Sequence, residues 1–213
     1  KSWTAYSVKK ASKILTISQS TKNDIIKYYR ILAKKVVVTY PGYEMKSVTR
    51  NSQLVTVKQK YDLTGDYILT VGTLQPRKNY VRLIEAFSLL GWEDWQLVIV
   101  GKKGWLWEEI LVAPKKFGVE KQVKFLDFVG DEDLKTLYQN ASVFALVSLY
   151  EGFGIPILEA MNFGCPVVAA NISSLPELVG EAGVLVDPYD VKDIARGIKK
   201  AIEGRVDLIR KGS

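Results

Sequence analysis

Two carboxylates, Glu151 and Glu159, flank the run Gly152-Phe153-Gly154-Ile155-Pro156. An apolar stretch, 142–147, precedes them and has the character of a buried parallel strand. Proline at a first helical position sacrifices no hydrogen bond, and Gly164 can supply a left-handed stop, so the spacing predicts a helix over 156–163. The amides of Phe153, Gly154 and Ile155 then gather at a helix start, where backbone N–H groups suit an anion such as phosphate. Two acids beside a phosphate repel it. They match hydroxyl groups instead, and sugars are rich in hydroxyls, so the expected ligand is part phosphate and part sugar.

A second loop, Gly72-Thr73-Leu74-Gln75-Pro76-Arg77-Lys78-Asn79, follows another apolar strand. Pro76 stiffens it, and Asn79 is placed to cap the next helix. Arg77 offers a planar fork and Lys78 a compact charge, a combination suited to a diphosphate. Cations at a helix start oppose its dipole, so an anion is expected nearby. Asp131-Glu132-Asp133 could suggest a metal-binding acid pair. Leu134, Leu137 and Tyr138 follow at helical spacing, however, and acids there cap and stabilise a helix start, so no metal site is expected. Gly101-Lys102-Lys103-Gly104 lacks the spacing of a P-loop, and no Gly-x-Gly-x-x-Gly follows the first strand of the alternation described next.

The elements that must position these groups alternate regularly. Helices are expected over about 52–61, 80–90, 106–117, 132–140, 156–163, 176–179 and 191–202, and strands over 67–71, 96–100, 123–126, 143–147, 167–170 and 184–186. Continuous apolar strands alternating with helices imply a doubly wound α/β domain, with a Rossmann-like parallel sheet and ligands outside the carboxyl ends of its strands. Before it, 14–17 and 36–38 look like short strands around a helix capped by Thr21 with Asp24, and 43–51 looks like a linker. Residues 1–45 are therefore expected to be the tail of an earlier domain, 46–203 the main domain and 204–213 a C-terminal tail.

Composition narrows the chemistry. The 213 residues are 47% hydrophobic, enough for a packed core, and no apolar run approaches the ~20 residues of a membrane span. One cysteine, Cys165, excludes an internal disulfide and reads as a packed small hydrophobe. With no histidine, an imidazole base would have to come from outside the chain. The net charge of +7 is concentrated at the start: residues 1–40 hold nine basic residues and one acid, Asp24. A solvated helix face is the plainer explanation; attraction to an anionic surface, lipid or phosphorylated acceptor, stands second. Nucleic acid is not an expected partner, because no recognition module accompanies the charge.

Together these residues resemble retaining glycosyltransferases of the GT-B fold, specifically glycosyltransferase family 4, with its Glu-x7-Glu motif at Glu151 and Glu159. The same likeness runs through 71–79, Ala160-Met161 with Gly164 and Pro166, Ser173-Ser174-Leu175-Pro176-Glu177, and Asp187-Pro188. The resemblance implies a donor-binding C-terminal domain with a remnant of an acceptor-side N-terminal domain. It implies a nucleotide-diphosphate sugar as substrate, GDP- or UDP-linked, with no metal or other cofactor, and an acceptor that is a glycan or lipid-linked saccharide. Glu159 would accept ribose hydroxyls and Glu151 those of the transferred sugar. Amides of Phe153, Gly154 and Ile155 would hold the diphosphate, Arg77 and Lys78 would neutralise its growing charge, and the base would lie near Phe128 and Val129. Many members place an arginine after the glycine that ends the first strand; here Thr73 stands there, and by the resemblance Arg77 would substitute. The 73–79 and 173–177 segments lean toward mannosyl transfer. The expected setting is cytoplasmic, with peripheral contact at the inner face of the membrane. A non-catalytic module of the same fold is the alternative.

Overall fold

A computed structural model of the chain describes residues 2–42 and 54–212. The linker expected over 43–51, and the domain boundary with it, fall outside the described residues. The first part consists of α1 (Ser2–Lys10), β1 (Ile14–Thr16), α2 (Gln19–Tyr29), a 3-10 turn (Ala33–Lys35) and β2 (Val36–Val38), with β1 and β2 paired in parallel. Helix α2 is capped by Ser18, whose hydroxyl accepts the Thr21 amide at 3.0 Å. The expected pairing of Thr21 with Asp24 is not the cap, because the helix begins two residues earlier; Asp24 accepts the Tyr150 hydroxyl instead, at 3.0 Å.

The second part runs α3 (Leu54–Lys60), β3 (Tyr67–Val71), α4 (Tyr80–Ser88), β4 (Gln96–Val100), α5 (Glu108–Lys116), β5 (Val123–Leu126), α6 (Asp131–Asn140) and β6 (Val143–Leu146). It continues with α7 (Ile155–Asn162), β7 (Val167–Ala170), α8 (Leu175–Val179), β8 (Gly183–Val186), α9 (Val191–Glu203) and α10 (Arg205–Gly212). Helix α5 begins later than its apolar spacing suggests because Leu106 has φ 51°, a left-handed value that no helix accommodates. Helix α10 replaces the expected tail: Arg205 donates to the carbonyls of Ala141 and Ser142 at 3.1 and 3.0 Å, which docks it against the body.

All neighbouring strands of the larger sheet are parallel, in the order β5-β4-β3-β6-β7-β8. Strands β4, β6 and β7 are buried along their whole length, as continuous apolar runs must be when helices cover both faces. Ile68, Leu97 and Ile99 face a core built with α4, α5 and α9; Tyr67, Leu69 and Val98 face the other, built with α3, α6, α7 and α8. The alternation is the two-residue period of a strand. From β3 the sheet grows in one direction through β4 and β5, and from β6 in the other. The loops leaving β3 and β6 therefore border the switch point, where such sheets open a crevice.

Candidate functional site

At that crevice the two loops are joined by charge. Lys78 Nζ lies 2.7 Å from Glu151 Oε1, and an Arg77 guanidinium nitrogen lies 2.8 Å from Glu151 Oε2. Arg77 also donates to the Tyr150 carbonyl, and the Leu149 amide donates back to the Arg77 carbonyl at 2.8 Å. Gly72 makes room for this: it has φ 151°, and a Cβ there would stand 2.8 Å from Lys78 Cε. The Tyr80 hydroxyl holds the Gly72 carbonyl at 2.7 Å; burial raises that phenol's pKa, so it remains a donor.

Burial pushes the Glu151 carboxyl upward, but the charge and hydrogen bond of Lys78, with the hydrogen bond of Arg77, outweigh it and hold the group below its ordinary range. Glu151 is thus ionised at neutral pH although only 8% exposed. The anion expected beside Arg77 and Lys78 is present, and it is Glu151 itself. Ser148, fully buried two residues beyond β6, adds its hydroxyl to the groups that hold the Glu151 carboxyl low.

Helix α7 starts at Ile155 with Pro156 in its first turn, and Gly164 takes the left-handed φ of 68° beyond its end. The amides of Phe153, Gly154 and Ile155 find no acceptor among the described residues, which leaves three donors at the helix start. Gly154 has φ 118°, and a Cβ there would lie 2.9 Å from Leu175 Cδ2. The Phe153 ring is buried, 6.2 Å from the Tyr40 ring, so only its backbone faces the crevice chemistry. Ile155 is half exposed. On α7, Glu159 Oε2 accepts the Tyr138 hydroxyl at 2.8 Å.

Near the proposed base position the two expected residues differ. The Phe128 ring is 73% exposed, with the Lys102 ammonium 5.2 Å from its centre, a surface on which a base can stack. Val129 is buried in the core beside Leu137, so its side chain cannot line a ligand site and only its backbone remains available. Asn79 departs from its expected capping role. It adopts φ 62° and makes no side-chain cap; its amide donates to the carbonyls of Val147 and Pro188 at 3.0 and 2.8 Å, tying the β3 loop to the end of β6 and to the β8–α9 loop. Gly130, not an acid, occupies the cap of α6, while Asp131, Glu132 and Asp133 fill its first turn. Asp133 accepts from Lys60 and Tyr61 at 2.6 and 2.7 Å.

Sequence reasoning assigned no role to three residues of the 173–177 segment. Ser173 and Ser174 bond the backbone of Glu151 and Phe153, and Glu177 accepts the first amides of α2. Their motif was visible, but no local pattern indicates a contact made 22 positions away, or 158 for Glu177 and Gln19.

The family model described as glycosyl transferases group 1 matches residues 55–211. The chain is 38% identical over 202 residues to the O-antigen chain mannosyltransferase B of Escherichia coli, covering 92% of this chain and 53% of that protein. It is 31% identical over 204 residues to the O-antigen chain mannosyltransferase RfbU of Salmonella typhimurium, covering 95% and 54%. Among solved structures, Anabaena Alr3699/HepE in complex with UDP and glucose superposes with a TM-score of 0.85 at 26% identity, over 97% of this chain and 58% of that one. The chain spans about half the length of these relatives.

Proposed function

The chain belongs to the group 1 glycosyl transferases, and from that membership we propose that it is the donor-binding part of a retaining hexosyltransferase. The reaction moves a sugar, mannose first, from a nucleotide-diphosphate sugar to an acceptor glycan or lipid-linked saccharide. One observation carries this reading: Arg77 and Lys78 of the β3 loop meet Glu151 of the β6 loop at the switch point, and the β6 loop leads on to three amides unpartnered among the described residues. The names of the Escherichia coli and Salmonella relatives support mannose, and hence GDP-mannose; the UDP complex of the Anabaena protein keeps UDP-sugars in the panel to be tested.

As the glycosidic bond lengthens, negative charge gathers on the departing diphosphate. Arg77, Lys78 and the amides of Phe153, Gly154 and Ile155 stabilise it, each charged hydrogen bond contributing roughly 1.5–3 kcal/mol. These donors supply the positive charge without a metal. Glu151 accepts hydroxyls of the sugar, Glu159 those of the ribose, and Phe128 with the Val129 backbone borders the base. Residues 1–45 are the end of an acceptor-side domain, in keeping with the half-length coverage. Their basic surface provides peripheral contact with an anionic membrane on the cytoplasmic side. The chain alone then binds donor without transferring sugar.

Calorimetry with GDP- and UDP-sugars, with and without a chelator, tests this. The expected result is binding of at least one sugar nucleotide, unchanged by the chelator. No binding of any of them at millimolar concentration overturns the reading.

A further inference from the structure

Ser173 has φ 59°, a left-handed value that disfavours a residue with a Cβ by roughly 1 kcal/mol. Two contacts hold it there: its hydroxyl donates to the Glu151 carbonyl at 2.6 Å and accepts the Glu151 amide at 3.1 Å. Ser174, fully buried, has its single hydroxyl proton shared between the carbonyls of Glu151 at 2.9 Å and Phe153 at 2.7 Å. Peptide groups are planar, so fixing one end aims the other. The Phe153 carbonyl shares its plane with the Gly154 amide. The Glu151 amide shares its plane with the Tyr150 carbonyl, which Arg77 holds from the opposite side. The two serines therefore set where the amides of the 151–154 loop point.

Three positions on, Glu177 faces a different part of the molecule. Its Oε2 accepts the Gln19 amide at 2.9 Å and the Tyr40 hydroxyl at 3.3 Å, and its Oε1 accepts the Ser20 amide at 3.3 Å. A carboxylate there satisfies the first amides of α2 and complements the helix dipole. Helix α2 and its surroundings in turn reach the same loop: Asp24 accepts the Tyr150 hydroxyl, Thr21 approaches the Gly152 carbonyl at 3.5 Å, and the Tyr40 ring lies against Phe153.

We infer that the 173–177 segment couples the two parts of the chain: Ser173 and Ser174 are positioning residues for the 151–154 amides, and Glu177 makes that positioning depend on the seating of α2. The inference rests on the donor-binding reading for its functional meaning. Affinity for a diphosphate would then be highest only when the preceding segment is docked.

Two variants of the whole chain test it, with GDP, UDP and the bare nucleosides as probes and amide hydrogen exchange as a second readout. Glu177 is exposed, so Glu177→Gln leaves the fold intact. It is expected to speed exchange of the Gln19 and Ser20 amides and of the Glu151 amide together, and to weaken diphosphate binding about threefold. Ser174→Ala is expected to weaken diphosphate binding about fivefold to tenfold while nucleoside affinity stays level. A purely structural role would lower both affinities alike, or neither, and that result overturns the positioning. Unchanged Glu151 exchange in Glu177→Gln overturns the coupling. If the unaltered chain binds neither diphosphate, the donor reading fails, and the exchange measurement still decides the coupling.

Discussion

Lys78 Nζ and Glu151 Oε1 stand 2.7 Å apart across 73 positions of sequence, with 9% and 10% of their side chains exposed. The contact resolves the unfavourable placement of two cations just ahead of α4, because Glu151 supplies the missing negative charge. It also sets a competition. On the proposed reading, a diphosphate entering the crevice would have to draw Arg77 and Lys78 from a carboxylate that already holds them, and its release would free that carboxylate for sugar hydroxyls.

Glu151→Leu is therefore expected to destabilise the chain more than any single change to its partners. It leaves buried Lys78 without a counter-charge, a loss of about 3–5 kcal/mol for a broken buried pair. Arg77→Met removes a partner that is 34% exposed and should cost under about 1 kcal/mol. Lys78→Met falls between, since Arg77 still pairs with Glu151. Urea denaturation of the three variants checks the order, and Lys78→Met combined with Glu151→Leu should recover most of the loss.

The depressed Glu151 pKa predicts a pH dependence. Its ionised form is favoured in the folded state, so its contribution is complete above the ordinary value of 4.5 and is lost as pH falls through the lower folded value. Asp133, lowered by hydrogen bonds from Lys60 and Tyr61, adds to the same acid window, below its ordinary 3.8. Denaturation midpoints should be flat from neutral pH to about pH 5 and then decline. In Glu151→Gln the decline should be shallower; an identical slope contradicts the assignment.

The doubly wound sheet was legible because its strands are continuous apolar runs with the helical period between them, and these signals are local. Arg77, Lys78 and Glu151 were legible as chemistry, from charge at strand ends, but their mutual pairing was not, since it depends on which two strands flank the switch point. Val129 was legible only as a neighbour of the expected base position: its side chain turns into the core while that of Phe128 is exposed, so its backbone alone stays available there. Asn79 shows a third limit: its type favours a cap, but a left-handed backbone redirects its amide across the crevice.

Cys165 is a probe of opening rather than of chemistry. It is 2% exposed, and burial pushes its thiol up to about 12, so little thiolate forms at neutral pH. An aromatic disulfide reagent should leave it unmodified in the native chain and react at once in denaturant. Rapid native labelling would show that the packing between β6 and β7 opens readily.

Glu151 and Glu159 should fail differently. Glu159 is set on α7 with Tyr138 holding one oxygen, so on the proposed reading its remaining acceptor capacity serves hydroxyls of the nucleoside. Glu159→Ala should weaken GDP and GDP-mannose by similar factors, about tenfold for a lost charged hydrogen bond. Tyr138→Phe should have a smaller effect in the same direction, because the carboxylate remains but is less well oriented. In Glu151→Ala the two cations lose their competitor and bare GDP should bind at least as well as before, while the advantage of GDP-mannose over GDP disappears. Calorimetry with both ligands separates these outcomes, and equal losses of bare GDP in Glu151→Ala and Glu159→Ala would refute the division of roles.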